Sequence, residues 1–450
     1  MHVADYVKLI CGKATELSIP RGWSSSDLRQ QPSRGSTTPT IGQRVIEHCA
    51  VVGGGVMGQG IAIALVQAGF RTTVIERDEQ TLAQRMADIW QTMTDDVQKG
   101  RVTKGVIMNA GALLQASTDF DTLRNVDFVV EAVFENMALK LEVFRTLDRV
   151  CAPHAILCTN TSTLDIETIA RCTKRPKKVV GMHFFVPPHL NPALEVIYSD
   201  ETTCRDAVAT VVAMGRRLEK IPVIMRNGPG FVGNRMFHPY LAESMNLLEA
   251  GFTPNEVDVA FRNFGFALGP FQSLDLIGLD TVRRISIENK WILSRILELL
   301  CEQGRLGRKT SKGFYAYKDN HRHQDEEVER LLAKIRRQGK RPSLTQEDIV
   351  RHCLYPLVNE GFDVLSDKIV ERPESVDAMW ILGYGWPASK GGPLYWAQTE
   401  GLRNVIEFIK SQKLENPSYL WRPSPFLERL VSNGASELPV EQWTQVISKM

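Results

Sequence analysis

Residues 46–60 read IEHCAVVGGGVMGQG. The apolar run Val45 to Val52 predicts a β-strand. It ends in Gly53-x-Gly55-x-x-Gly58, just before a helical pattern, Gln59 to Gln67. Gly53 allows the tight turn, Gly55 lets the backbone approach a pyrophosphate, and Gly58 lets strand and helix pack closely. The helix N-terminus presents unpaired N–H groups and the positive end of its dipole to phosphate. The next strand, TTVIE (72–76), ends in Glu76, 18 residues beyond Gly58. A carboxylate there suits the adenosine ribose hydroxyls. Strand, turn, helix, strand and acid together point to a dinucleotide site. Glu76 would repel a 2′-phosphate, which favours NAD over NADP, with Arg77 beside it as the opposing charge. A glycine-rich turn that binds nothing is the alternative.

Outward from this unit, strands and helices alternate to about residue 226. Further apolar strand candidates are 127–133, 155–159, 178–185 and 194–197, with helical periodicity at 58–68 and 79–98. Such alternation implies a mostly parallel sheet covered on both faces. After Gly230 helical patterns dominate. HPYLAESMNLLEAGF (238–252) lines up with YPLVNEGFDVLSDKI (355–369), and PNEVDVAF (254–261) with PESVDAMW (373–380). These read as two diverged copies of one helical domain, since a solenoid would repeat at shorter intervals. The expected fold is therefore an α/β Rossmann-like domain followed by two tandem all-α domains. The expected boundaries are an N-terminal helix and flexible linker (1–44), the NAD-binding domain (45–226), a first helical domain (227–320), a charged linker or solvated helix (321–342), a second helical domain (343–441) and a tail (442–450).

The 450 residues carry 54 Lys+Arg against 52 Asp+Glu, a formal net charge of +2. That balance argues against nucleic acid or an anionic membrane as partner. No apolar run reaches the ~18 residues of a membrane helix. The eight cysteines are scattered, with no C-x-x-C pair, which suggests neither a zinc site nor a disulfide framework.

Candidate chemistry lies at strand ends. His183 ends an apolar strand, where the ligands of open α/β sheets bind. Imidazole suits reversible proton transfer near neutral pH. Glu195 stands in a second apolar run, where a carboxylate is costly unless paired, and pairing with His183 would hold its ring. A packed core histidine is the alternative. Ser162 follows another strand, in Thr159-Asn160-Thr161-Ser162, without the G-x-S-x-G surroundings of a nucleophile. Helix capping by Ser162, Thr161 or Thr163 is its alternative reading.

Several stretches match one family: VVGGGVMGQGIA (51–62), DFVVEAVFENMALKLEVF (127–144), CTNTSTL (158–164), GMHFF (181–185), LEVI (194–197), NGPGFVGNRM (227–236), GRLGRKTSKGFYAY (304–317) and GYGWPASKGGPLYWA (383–397). The chain resembles the L-3-hydroxyacyl-CoA dehydrogenases, and most closely the dehydrogenase half of peroxisomal multifunctional β-oxidation enzymes. The resemblance implies NAD-dependent oxidation of (S)-3-hydroxyacyl-CoA to 3-oxoacyl-CoA, with His183 as base and Glu195 orienting it. It implies Ser162 and Asn234 at the substrate's reacting oxygen. It implies Gly53, Gly55, Val56, Met57, Gly58, Glu76, Glu135, Lys140, Ser162 and Lys309 around the cofactor. Surface charge is the alternative for Glu135, Lys140 and Lys309, and a helix-start asparagine the alternative for Asn234. After His183-Phe184-Phe185 the family usually places Asn or Ser, whereas Val186 stands here, followed by Pro187-Pro188-His189.

The family's helical domain dimerises. Two copies in one chain lead to the expectation of a monomer with the copies paired internally, Arg351 of the second copy replacing Asn234. Lys99, Arg101 and Lys104 are candidates for the acyl-CoA phosphates. The short stretch before residue 45 leads to the expectation that no hydratase domain is present. Ser448-Lys449-Met450 resembles the S-K-L peroxisomal address, so a peroxisomal import receptor is an expected partner, with a cytoplasmic location as the alternative. A dehydrogenase of another small 3-hydroxy acid, or a non-catalytic NAD- or acyl-CoA-binding relative, are the competing functions.

Overall fold

The computed structural model describes residues 2–25, 28, 40–41, 44–289, 291–319, 321–337, 340–415 and 419–434. The chain divides into two compact units. One comprises residues 11–231 and 369–371, the other residues 1–10, 232–368 and 372–450. The expected tail motif, Ser448-Lys449-Met450, lies outside the described residues.

The first unit is built on an eight-stranded sheet. Its strands are β1 (His48–Val52), β2 (Arg71–Ile75), β3 (Leu114–Ser117), β4 (Phe128–Glu131), β5 (Ile156–Thr159), β6 (Val179–Phe184), β7 (Ala193–Tyr198) and β8 (Ile221–Arg226). They lie in the order β8-β7-β6-β5-β4-β1-β2-β3. β1 to β6 are mutually parallel, β6 pairs antiparallel with β7, and β7 pairs parallel with β8. Every residue of β1, β4, β5, β6 and β7 is buried, so both faces of the central sheet are covered. Strand order reverses between β1 and β4, which places the ligand crevice of an open α/β sheet at their carboxyl ends.

Two strands of this sheet lie outside the sequence-based expectation. β3 is an edge strand whose middle residues Gln115 and Ala116 are exposed, so it carries no apolar run. β8 contains Pro222, which argues against a strand unless it lies at an edge; β8 is the other edge. That edge is covered. Thr15 Oγ1 donates to the Pro222 carbonyl at 2.6 Å and Ile224 N–H donates to Ser18 Oγ at 2.8 Å.

The single N-terminal helix expected is two, Val3–Gly12 and Ala14–Leu17. The flexible linker expected to residue 44 is corrected where it is described. Ile19 and Trp23 pack on the sheet core, Trp23 lies 5.1 Å from the Tyr198 ring, and Leu28 is buried. A few large apolar side chains anchor a stretch whose average composition is polar.

The second unit is helical. Its longest helices, Gly233–Glu249 and Gln346–Ser366, pack on each other: a Cβ on Gly361 would come within 2.9 Å of the Met236 side chain, and Ser244 Oγ meets Cys353 Sγ at 3.5 Å. Each is followed by a shorter helix starting at a proline, Pro254–Phe264 and Pro373–Gly383, and then by Pro270–Ile277 and Pro393–Glu400. The aromatic side chains of the copies interlock edge to face, Phe264 against Trp386 at 5.9 Å and against Trp396 at 5.5 Å. The charged stretch holds the expected helix, Glu326–Ile335, but not a solvated one: its Val328, Leu331, Leu332 and Ile335 are buried, so one face of it belongs to the core.

Candidate active site

The turn after β1 takes the conformation its glycines permit. Gly53 has φ of 96°, and a Cβ there would lie 2.7 Å from the Ala132 carbonyl oxygen. A Cβ on Gly58 would run into the Gly53 carbonyl. Gly55 is the N-cap of helix Val56–Gln67, and a Cβ built on it meets nothing within 4 Å, so this side of the turn is open. Val56 and Met57 open the helix, so their N–H groups lack partners within it. No acidic residue stands in its first turn. Glu76 follows β2 and accepts from Gly54 N–H at 2.7 Å on one oxygen and from Arg77 N–H at 3.0 Å on the other. The carboxylate is thereby fixed, with lone pairs left over on both oxygens. The donors, the open turn and the fixed acid fit a dinucleotide's pyrophosphate and ribose.

Beyond β4, at the reversal of strand order, lies a charged cluster. Lys140 Nζ meets Glu131 Oε1 at 2.7 Å and Glu135 Oε2 at 3.2 Å. Lys140 is only 1% exposed, so the surface-charge alternative fails for it. Glu135 Oε1 accepts from Thr161 Oγ1 at 2.5 Å, Ser162 N–H at 2.8 Å and Ser162 Oγ at 3.2 Å. Burial raises the Glu135 carboxyl, but the Lys140 ammonium and these hydrogen bonds outweigh it and hold the group below the usual carboxylate range. The capping alternative for Ser162 and its threonine neighbours is corrected: Asp165 caps helix Ile166–Arg171, accepting from Glu167 and Thr168 N–H.

His183 stands opposite Glu195 in the antiparallel register of β6 and β7, and His183 Nδ1 lies 2.7 Å from Glu195 Oε2. Glu195 is fully buried and His183 nearly so. The rings of Phe185 and Phe231 flank the imidazole at 4.9 and 6.2 Å. Asn160 Oδ1 accepts from Phe184 N–H at 2.9 Å and so ties the end of β5 to the end of β6. The loop after β6 is anchored by Pro188, where a Cβ on Gly60 would come within 2.6 Å, and by His189 Nε2 on Asp96 Oδ2 at 3.1 Å. Val186 is 64% exposed.

Asn234 and Lys309 belong to the helical unit. Asn234 follows the first residue of helix Gly233–Glu249 without capping it, and its Oδ1 accepts from Tyr384 Oη at 2.9 Å. Lys309 Nζ meets both oxygens of Asp280, at 2.5 and 2.6 Å. Of the candidate basic residues, Lys99 and Arg101 pair with Asp95 and Asp96, and Lys104 is exposed. Glu131, Asn160 and Asp96 escaped the sequence reading. Glu131 had a usable signal, a carboxylate closing an apolar strand with a lysine nine residues on. Among the described residues, no group of three or more His, Cys, Asp or Glu could hold a metal ion, and no helix is long and apolar enough to cross a membrane.

Comparison with known proteins bears on this geometry. Residues 48–228 match the family model for the NAD binding domain of 3-hydroxyacyl-CoA dehydrogenase, and residues 230–317 match the model for its C-terminal domain. The peroxisomal bifunctional enzyme of Danio rerio is 37% identical over 431 residues, 90% of this chain and 59% of that protein. The chain thus spans about three fifths of the length of this curated relative. The dehydrogenase part of multifunctional enzyme 1 from C. elegans superposes with a TM-score of 0.67 at 29% identity, covering 94% of this chain and 96% of that one. The (S)-3-hydroxybutyryl-CoA dehydrogenase PaaH1 from Ralstonia eutropha superposes with a TM-score of 0.56 at 30% identity, covering 61% of this chain and 100% of that one.

Proposed function

The chain belongs to the 3-hydroxyacyl-CoA dehydrogenase family, and from that premise we propose that it oxidises the 3-hydroxyl of an (S)-3-hydroxyacyl-CoA to the 3-oxoacyl-CoA. NAD, when bound, supplies the hydride acceptor. The glycine turn 53–58 and the N-terminus of helix Val56–Gln67 hold its pyrophosphate, and Glu76 takes the adenosine ribose hydroxyls. Glu135 lies at the strand-order reversal, where the nicotinamide end belongs.

The observation that carries the reading is the His183–Glu195 pair. With Nδ1–H donated to the carboxylate, Nε2 keeps its lone pair for the substrate hydroxyl proton. As the C–H bond gives up its hydride, that proton passes to Nε2, and Glu195 stabilises the imidazolium that forms. The carbon–oxygen double bond is completed with no water consumed. Ser162 holds the substrate's 3-oxygen, and Asn234 is a further substrate contact. Lys309 contributes a further cofactor contact.

The biological role that fits is fatty-acid β-oxidation. The relatives' peroxisomal names support a peroxisomal location, with the import receptor as partner. The two helical copies pair within one chain, which fits a monomer, and sedimentation analysis would read its mass directly. The test of function is purified protein mixed with acetoacetyl-CoA and NADH. Loss of NADH absorbance that is absent in His183→Gln supports the reading. Wild-type protein inactive on short and long 3-oxoacyl-CoAs, yet binding NADH, refutes it.

A further inference from the structure

We propose that Glu131 is a positioning residue for the reaction, setting the Ser162 hydroxyl through Lys140 and Glu135. This rests on the reading of Ser162 as the group that holds the substrate's 3-oxygen. Glu131 and Lys140 are 0% and 1% exposed. A carboxylate and an ammonium that deep persist only when fully paired. Glu131 accepts from Lys140 at 2.7 Å, Val133 N–H at 2.8 Å and Thr159 Oγ1 at 2.7 Å. Lys140 divides its three N–H groups among Glu131, the Val133 carbonyl at 3.4 Å and Glu135. Its shorter contact is to Glu131, so Glu135 does not have the ammonium to itself. That leaves Glu135 Oε1 directed at Thr161 and Ser162.

The consequence falls on the serine. Of the three donors on Glu135 Oε1, the Ser162 hydroxyl is the longest, at 3.2 Å, against 2.5 and 2.8 Å for the others. Releasing it therefore costs least. The 3-oxygen gives its one proton to His183 Nε2, so in alcohol and ketone alike it can only accept from the serine. A hydroxyl weakly parked on a well-supplied carboxylate is turned to that oxygen at small cost, and returns to Glu135 when the site empties. Without Glu131 the Lys140 ammonium would fall wholly to Glu135, draw that carboxylate away from Thr161 and Ser162, and loosen the serine's hold on it.

The experiment is a double-mutant cycle between Glu131→Gln and Ser162→Ala, with Thr159→Val as a milder variant that removes one donor to Glu131. Steady-state turnover of acetoacetyl-CoA with NADH is measured alongside deuterium uptake by amides 159–164. We expect Glu131→Gln to lower kcat about tenfold, with a smaller rise in the KM for NADH because Glu135 also faces the cofactor, and to cost less than about twofold in kcat where Ser162 is already alanine. Equal losses in both backgrounds, or a loss carried entirely by the KM for NADH, would overturn the proposal. Uptake at 159–164 should quicken in Glu131→Gln and, to a smaller extent, in Thr159→Val. Unchanged uptake in both overturns it whether or not the protein turns over. Quickened uptake confined to this segment, in a protein with no wild-type turnover, upholds the relay and refutes the dehydrogenase reading.

Discussion

Tyr6 Oη donates to Asp377 Oδ2 at 2.7 Å, and Tyr315 Oη donates to Asp258 Oδ2 at the same distance. Asp258 and Asp377 are equivalent positions in the two helical copies. Each accepts two backbone N–H groups at the start of the helix that follows, from Phe271 and Gln272 in one copy and from Leu394 and Tyr395 in the other. The first copy finds its tyrosine just beyond its own helices. The second takes it from the N-terminal helix Val3–Gly12, where Tyr6 also stacks on Tyr395 at 4.5 Å. Tyr6→Phe should therefore destabilise the helical unit by about 1–3 kcal/mol, because the buried Asp377 carboxyl loses one hydrogen-bond partner. Tyr315→Phe should cost a similar amount. Urea denaturation followed by near-UV dichroism measures both, and a Tyr6→Phe protein as stable as wild type would show the helix to be a passive attachment.

Substituting the acid–base pair separates its two roles. His183→Gln should lower kcat about 10³-fold, and Glu195→Gln somewhat less, since a positioned base contributes on that order. NADH affinity should survive in both. A Glu195→Gln enzyme with unchanged turnover would mean that His183 is held by the sheet alone.

The nucleotide turn makes a sharper demand. Gly58→Ala would press a Cβ onto the Gly53 carbonyl, and the turn must open to relieve it. NADH binding should weaken by at least about tenfold, ~1.4 kcal/mol. Glu76→Ser makes no such clash; it removes the acceptor of Gly54 N–H together with the charge that repels a 2′-phosphate. The ratio of NADPH to NADH affinity, read by fluorescence titration, should rise about tenfold. A ratio that stays put would place cofactor choice elsewhere.

Stability should also depend on pH through a buried acid in the helical unit. Burial pushes the Glu243 carboxyl up to about 7, against the pull of Asn246, Arg337 and Trp421. An unfolded glutamate titrates near ~4.3. Between those values the folded chain keeps a proton that the unfolded chain has lost. Stability should therefore fall as pH rises through that window, by up to about 1.4 kcal/mol per pH unit. Glu243→Gln removes this dependence, so its melting temperature should gain on wild type between pH ~5 and pH ~8. Parallel curves would remove Glu243 as the cause.

The sheet was legible wherever burial on both faces wrote an apolar run, as in β1, β4, β5 and β6. β3 was not, because half of it faces water, nor was β8, whose Pro222 is tolerated only because the strand lies at an edge. His183 and Glu195 could be paired from sequence because a carboxylate in an apolar run demands a partner. The same logic applied to Glu131 but was masked by Glu135 and Lys140, which attract attention as a motif. Packing of Ile19, Trp23 and Leu28 was illegible, since three anchors do not alter the composition of a long polar stretch.

The antiparallel step from β6 to β7 has one more consequence. His183 and Glu195 meet because they are rungs of one ladder. The length of the connecting loop, residues 185–192, helps to hold that register, and a slip of one residue between the strands would turn the two side chains to opposite faces. The base is thus inherited from sheet geometry, and within the loop the exposed Val186 is the position free to diverge, while Pro188 and His189 keep it anchored. New substrate preferences can be tried at Val186 by substitution without first rebuilding the chemistry.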